Sequence, residues 1–450
     1  MIKRNILLIN PWIYDFAAYD LWMKPLGLLY IAAFLEKFGY SVSFINCMER
    51  NHPALKRNQE KKEKYDCGKF FAEEVEKPSS LKDVPRRYKR YGIPLPIFEE
   101  ELSKIPPPKL IGVTSGMTYW YPGVFEVIRR VKSFFPKALV VLGGIYATLC
   151  SKHAKKFSRA DYIIEGRGEW KILRIADEIF RIKRNYSSLL KKREKLLYPA
   201  YHLLRRVDSI SLLTSFGCPF QCTYCASRIL QPSFYQRDPE EVIREIDYFV
   251  RNFRIKDIAF YDDALLVNPQ KHILPILKKI IEKNEGIRFH TPNGLHIRYI
   301  SKIVAKRLYQ ANFKTIRLSL ETSNFRRQKN SGHKVSNKEF VQAINNLKEA
   351  GYSSREIEVY VMMGLPGQSL KEVMDSVKFV HSLKVKIKLV QFSPIPGTKE
   401  YEKAVKEYGF NKDEPLFQNN SIFPLKKKGI SFQEFWEIKN FVNELNLKLS

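Results

Sequence analysis

Three cysteines, Cys218, Cys222 and Cys225, fall in the run Ser215-Phe-Gly-Cys-Pro-Phe-Gln-Cys-Thr-Tyr-Cys-Ala226. C-x3-C-x2-C spacing lets one tight loop turn three sulfurs toward one point. Thiolates are soft ligands that suit iron–sulfur clusters and zinc. A closed structural site takes four protein ligands, and the remaining cysteines, Cys150, Cys67 and Cys47, are distant in sequence. A [4Fe–4S] cluster on three thiolates keeps one iron open for chemistry. The plainer readings are a zinc knuckle that borrows a histidine, or three unrelated buried thiols.

The cysteine loop follows the first of six strand candidates, 209–214, 257–261, 288–291, 315–320, 358–363 and 386–392. Helix candidates at 239–252, 270–283, 300–310, 337–350 and 370–383 alternate with them. Asp238 and Pro239 make a helix start, and Gly351 a helix stop. Six β/α units predict a partial (β/α)6 TIM-type barrel over 209–400, whose chemistry collects at the carboxyl ends of the strands. Polar or turn residues arrive at those ends in phase: the cysteine loop, Asp262-Asp263, Pro292-Asn293-Gly294, Glu321-Thr322, Gly364-Leu-Pro-Gly-Gln368 and Pro394-Ile-Pro-Gly-Thr398.

The trio, with Tyr224 just before its last cysteine, resembles the signature of the radical S-adenosylmethionine (SAM) superfamily. Phe260-Tyr-Asp-Asp-Ala264, Leu318-Ser-Leu-Glu-Thr322 and Val361-Met-Met-Gly-Leu-Pro-Gly-Gln368 extend the resemblance over 210–401. It implies that Cys218, Cys222 and Cys225 hold a [4Fe–4S] cluster. The open iron would chelate SAM, and an electron, from a donor such as flavodoxin or ferredoxin, would cleave it to methionine and a 5′-deoxyadenosyl radical. Asp262 or Asp263 would then accept from the SAM ammonium, and Glu321 from the ribose hydroxyls. Asn293 offers donor and acceptor, Gly364 lets backbone approach the nucleoside, and Tyr224 packs at the cluster loop and adenine. His290 and His296 are read as packing residues.

The first 180 residues also alternate. Strand signals at 6–9, 41–46, 110–114, 138–142 and 162–164 are joined by helical spacing at 26–38, 124–135 and 172–180. They predict a flavodoxin-like (Rossmann-like) parallel sheet, with ligands beyond the strand ends at the switch point. Pro25-Leu-Gly-Leu-Leu-Tyr-Ile-Ala-Ala-Phe-Leu-Glu-Lys-Phe-Gly-Tyr40, Val140-Val-Leu-Gly-Gly-Ile-Tyr-Ala-Thr148 and Glu165-Gly-Arg-Gly-Glu169 resemble the cobalamin-binding domain ahead of many radical SAM modules. The resemblance places cobalamin at Ser115, Gly143 and Gly144. Two departures stand beside it: there is no Asp-x-His-x-x-Gly motif, and Tyr146 replaces the histidine of Gly-Gly-x-His-Ala-Thr. A vestigial domain that only packs is the alternative. Residues 50–105 read as an insertion, either a lid with some helix or loosely ordered surface. Residues 181–208 read as a basic linker, and 401–450 as a small helical extension that covers the substrate mouth.

The chain has 450 residues, 44% of them hydrophobic, and six cysteines. That is enough for two or three domains and too few cysteines for a disulfide framework. No apolar run reaches the roughly 18 residues of a membrane span, and the start is too quickly polar for a secretory signal. The expected location is the cytoplasm. The net charge of +30 concentrates at 181–206 and 302–338. Such a charge suits an anionic partner, RNA or acidic lipid, or simply solvated helix faces, which is favoured because the basic stretches lack interleaved aromatics. With cobalamin, the expected reaction is methyl transfer to an unactivated carbon. Without it, rearrangement, cyclisation or oxidation is equally open. RNA methylthiolation is the second enzymatic reading; against it, no separate amino-terminal cysteine trio for a second cluster is visible, and a noncatalytic cobalamin or cluster sensor is the reading from another class.

Overall fold

The computed structural model describes residues 4–55, 64–191, 197–421 and 430–449. They form two compact units, Met1–Val207 with Asp413–Leu416, and Asp208–Lys412 with Phe417–Ser450.

The first unit is built on a parallel sheet of β1 (Asn5–Asn10), β2 (Ser41–Asn46), β3 (Leu110–Val113), β4 (Leu139–Leu142) and β5 (Tyr162–Ile163), in the order β5-β4-β3-β1-β2. The chain leaves β1 in one direction for β2 and in the other for β3, so the switch point lies between β1 and β3. Helices α1 (Leu26–Lys37) and α3 (Glu169–Ile179) cover one face, where Ile6, Leu8, Leu110 and Val141 meet Leu28, Ala32, Leu35, Ile172 and Ala176. Helix α2 (Tyr121–Phe134) covers the other, where Leu7, Ile9, Ile111, Val113 and Val140 meet Val124, Val127 and Val131. A sheet buried on both faces needs uninterrupted apolar strands, which is why Ile6 to Ile9 carries no alternation.

Residues 64–105 are not loose surface. Ile13–Asp15, Lys89–Tyr91 and Ala72–Glu74 pair into a small antiparallel sheet, and Tyr19–Asp20 pairs with Gly68–Lys69. Phe70, Leu81, Val84, Tyr88 and Ile93 are buried there, and helix Leu95–Ser103 follows. Strands of two or three residues are too short to leave a period-2 signal. Residues 56–63 of the expected insertion lie outside the described residues. The expected linker is not a free spacer either: Arg184 bridges Asp177 at 2.7 Å and donates to the Phe38 carbonyl, and Ala200 joins the α1/α3 core. Its residues 192–196 lie outside the described residues.

The second unit is a six-stranded, wholly parallel sheet in sequence order: β6 (Ser209–Leu212), β7 (Asp257–Phe260), β8 (Arg288–His290), β9 (Phe313–Glu321), β10 (Ile357–Met363) and β11 (Lys386–Gln391). Its crossover helices are α4 (Pro239–Asn252), α5 (Ile273–Lys283), α6 (Lys302–Gln310), α7 (Asn337–Glu349) and α8 (Leu370–Ser382). Asp238 caps α4 by accepting from Glu240 and Glu241 amides, and Ser336 forms a full capping box on α7. β6 and β11 do not pair with each other among the described residues, so the barrel is open.

Two further helices complete the unit, α9 (Lys399–Tyr408) and α10 (Phe432–Leu447). Asn446 on α10 gives its amide to the Ile387 carbonyl at 2.9 Å and accepts from the Ile387 amide at 2.8 Å. The helix thus occupies the free edge of β11 with a side chain that mimics a strand, which removes an exposed pairing edge.

Candidate functional site

The cysteine loop leaves the carboxyl end of β6. Ser215–Phe216 pairs antiparallel with Tyr235–Gln236 and ties the base of the loop. All three thiols are free; Cys218 and Cys222 are half-buried and Cys225 is exposed. The Cys225 amide donates to the Cys222 carbonyl at 3.1 Å, a turn that brings these two together. Two distant segments grip the loop. Gly332, at φ +114°, lies so close that a Cβ there would sit 3.2 Å from the Cys222 Cα. On α9, Glu400 accepts from the Thr223 hydroxyl at 2.9 Å and returns its own amide to the Thr223 carbonyl.

Below the loop lies a buried polar brace. Asp262 accepts from the Thr214 amide at 3.0 Å, the Thr214 hydroxyl at 2.7 Å and the Ser215 hydroxyl at 2.6 Å. Its carboxylate thus holds the end of β6, while Asp263, the other expected acceptor for the SAM ammonium, is exposed. His272 reaches the same Thr214 hydroxyl at 2.8 Å, and burial holds its ring down to about 4, hence neutral. Arg237 donates to the Leu213 carbonyl at 2.7 Å and pairs with Glu245 at 2.6 Å, both side chains being almost wholly buried. Burial, opposed by that arginine, pushes Glu245 up to about 7.

The other expected SAM residues surround the loop. Asp263 is exposed and accepts from Ser227, which also contacts the Cys225 sulfur. Asn293 spends its amide donor on the Tyr261 carbonyl at 2.9 Å. Gly364, at φ +92°, gives its amide to Gln368 at 2.9 Å, which fixes the glycine turn from inside. The Tyr224 ring packs against Leu365, Phe392 and Ala404, so it anchors the loop to the apolar layer. Glu321 stands at φ +67° where the β9–β10 register slips, 3.5 Å from Lys334. A non-glycine residue held there carries local backbone strain, and such strain gathers at functional sites. Burial raises the Cys218, Cys222 and Tyr224 protons first; the charge of Asp263 adds to it at Cys218, and that of Glu321 at Cys222 and Tyr224. These side chains therefore share one neighbourhood.

The donor set fits a cluster better than a zinc knuckle. Among the described residues no three His, Cys, Asp or Glu side chains converge on a single metal ion. A cubane asks less convergence, because each iron takes one thiolate. Burial pushes Cys218 up to about 11, so its proton leaves when a metal centre takes its place.

In the first unit, Ser115 is buried and its hydroxyl donates to the Gly143 carbonyl at 2.8 Å while accepting from the Tyr146 amide at 3.1 Å. Gly144 is at φ +94°, and a Cβ there would lie 2.5 Å from the Ser115 carbonyl oxygen. Over Gly143 the space is open, the nearest atom to a built Cβ being 3.9 Å away. This loop beyond β4, tied to Ser115 beyond β3, presents bare backbone beside the switch point, a cradle that suits a nucleotide tail. Tyr146 is not part of that surface. It is fully buried, stacks on Tyr121 at 5.6 Å and hydrogen-bonds His153 at 2.6 Å.

Sequence reasoning missed Gly332, Lys334, Glu400, His272 and the Arg237–Glu245 pair, which lie outside the recognised motifs. It also set aside His296, whose Nε2 lies 3.9 Å from the Cys218 sulfur. The Gly332 turn before Lys334 was the one local signal available.

Residues 212–380 match the family model of the Radical SAM superfamily. An uncharacterized methyltransferase of Pyrococcus horikoshii is 22% identical, over 76% of this chain and 77% of that protein. Cytidylyl-2-hydroxyethylphosphonate methyltransferase of Streptomyces wedmorensis is 20% identical, over 92% of this chain and 84% of that protein. Among solved structures, the radical SAM methyltransferase TsrM from Kitasatospora setae, with cobalamin and a [4Fe–4S] cluster bound, superposes with a TM-score of 0.65 at 15% identity, covering 91% of this chain and 76% of that one. The cysteine loop lies in the matched segment, so residues 212–380 are a Radical SAM domain by that match, and the fold of the chain is like that of TsrM.

Proposed function

We propose that this protein transfers a methyl group to an unactivated carbon, using SAM, a [4Fe–4S] cluster and cobalamin. The observation that carries the reading is the pairing of two features in one chain. Three free thiols stand at the first strand end of a six-stranded parallel barrel, and a 2-1-3-4-5 sheet presents an open glycine loop beside its switch point.

When bound, the cluster and cobalamin supply the electron that cleaves SAM and the methyl group that is transferred. The chain's own share is positional. Cys218, Cys222 and Cys225 would ligate the cluster. Asp263, carried near the loop by Ser227, would take the SAM ammonium, and Glu321 the ribose hydroxyls. Asn293 and Gly364 act through the loops they stiffen, and Asp262 through the end of β6. In the first unit, Gly143 and Gly144 would bring backbone against the cobalamin tail, with Ser115 holding their loop. Two of the named relatives are methyltransferases, which supports this reaction over rearrangement or oxidation.

A methylthiotransferase would need further free thiols. Cys47 instead sits in the apolar core between the first sheet and α2, where burial raises its thiol proton. The test is anaerobic reconstitution with reductant, SAM and methylcobalamin. The expected products are 5′-deoxyadenosine and S-adenosylhomocysteine. Cys222→Ala should abolish the iron–sulfur absorbance and both products; an intact cluster in that variant would refute the ligand assignment.

A further inference from the structure

His296 is 5% exposed and belongs to no motif that the function absorbs. Its ring stacks on Phe220, the residue midway between Cys218 and Cys222, at a centroid distance of 4.3 Å and an interplanar angle of 29°. Its Nε2 faces the Cys218 sulfur at 3.9 Å, within reach of an N–H···S contact, while its Nδ1 is buried without a hydrogen-bond partner. A buried polar side chain with an unused nitrogen is costly to keep unless it serves a partner.

The geometry points to His296 as a positioning residue that donates a hydrogen bond from Nε2 to the Cys218 sulfur and thereby sets the reduction potential of the cluster. This rests on the cluster proposed above. A neutral imidazole carries one proton, on Nε2 or on Nδ1. The Asp263 backbone carbonyl is the rival acceptor for that proton. A cluster thiolate is charged, and charge-assisted hydrogen bonds are the stronger. The thiolate therefore selects the Nε2–H tautomer and leaves Nδ1 bare. A donor to a cluster sulfur withdraws charge from it and stabilises the reduced state.

The experiment compares full-length wild type, His296→Phe and His296→Gln, each reconstituted anaerobically without SAM. Iron and sulfide analysis gives cluster content, and an EPR-monitored redox titration gives the reduced fraction. His296→Phe keeps the ring and loses the donor; it should retain the cluster and lower the reduced-to-oxidised ratio at fixed potential about tenfold, about 59 mV for one electron. His296→Gln keeps an N–H and should fall between the two. A His296→Phe titration superposable on wild type overturns the proposal, because the ring then only packs. Equal loss of cluster from both variants, with circular dichroism unchanged, also overturns it, because the ring is then a wall of the loop. If wild type itself takes up no cluster, the cluster reading fails and this inference falls with it; a wild-type cluster whose potential ignores His296 sinks the inference alone.

Discussion

The two parallel sheets of this protein use the same local rules and end with opposite faces. In the first unit both faces are apolar and helix-covered. In the second, β9 and β10 alternate. Ile316, Leu318, Leu320, Val359, Val361 and Met363 lie on one face of the strands, while Arg317, Glu321, Glu358 and Tyr360 alternate with them on the other. Arg317 pairs with Glu358 at 2.9 Å and Lys386 of β11 with the same carboxylate at 2.6 Å; Lys388 stands 4.0 Å from it. One carboxylate thus serves three cations. Doubly wound sheets hold ligands at their ends, whereas a barrel has an inner face that its helices never cover. Alternation in a parallel strand therefore marks the surface kept for polar side chains.

This contrast can be tested by how each unit answers to substitution. The largest effect is expected at the brace under the cysteine loop. Arg237→Met leaves Glu245 buried and unpaired, a change that costs about 3–5 kcal/mol, read as a lower urea midpoint at neutral pH. Survival of wild-type stability would mean that water or a rearranged partner replaces the arginine.

Next is the polar face. The Glu358 carboxyl is held down to about 2, below the ordinary glutamate value of 4.5: burial opposes ionisation, but Lys388, Arg317 and Lys386 together outweigh it. A carboxyl lowered in the folded state adds stability above its unfolded value and loses it as pH falls from about 4.5 toward 2. The shift corresponds to about 3 kcal/mol. Wild type should therefore exceed Glu358→Gln in stability at pH 6 and converge with it near pH 2 to 3. Parallel curves across that window would break the assignment.

In the first unit the sensitive point is backbone. Gly144→Ala meets both the φ of +94° and the Ser115 carbonyl, and should cost about 1–3 kcal/mol, read by thermal melt. Gly143→Ala faces open space and should leave the melt unchanged while weakening cobalamin in a spectroscopic titration. Equal melts for the two variants would show that the loop yields. Smallest of all, Lys388→Met on the polar face should move stability by within about 0.5 kcal/mol, because what Lys388 gives Glu358 is offset by the cost of its own burial, which lowers its ammonium. A large loss would make Lys388 part of the frame.

Much of this was legible beforehand. Helix α4 spans the residues its apolar spacing and Asp238 cap predict, and β2 likewise falls on its expected residues. The cysteine trio needed no structure at all. What stayed hidden was pairing across distance. The small sheet of Ile13–Asp15, Lys89–Tyr91 and Ala72–Glu74 was missed because three residues carry no period. That Asp262 braces the Thr214 hydroxyl was also hidden, because a carboxylate at a strand end has the same sequence appearance whatever it faces. Nothing local shows that Asn446 fills the edge of β11 either.

The sequence by itself determined the elements, their order and the three sulfurs, since these depend on periodicity, caps and spacing within a few residues. Only the tertiary structure decided which polar groups are spent on the frame and which remain for a cofactor. That division depends on partners such as His272 for Thr214, Gly332 for Cys222 and His296 for Cys218. Folding brings them together from far along the chain, and no local pattern encodes a contact between segments that separate in the unfolded state.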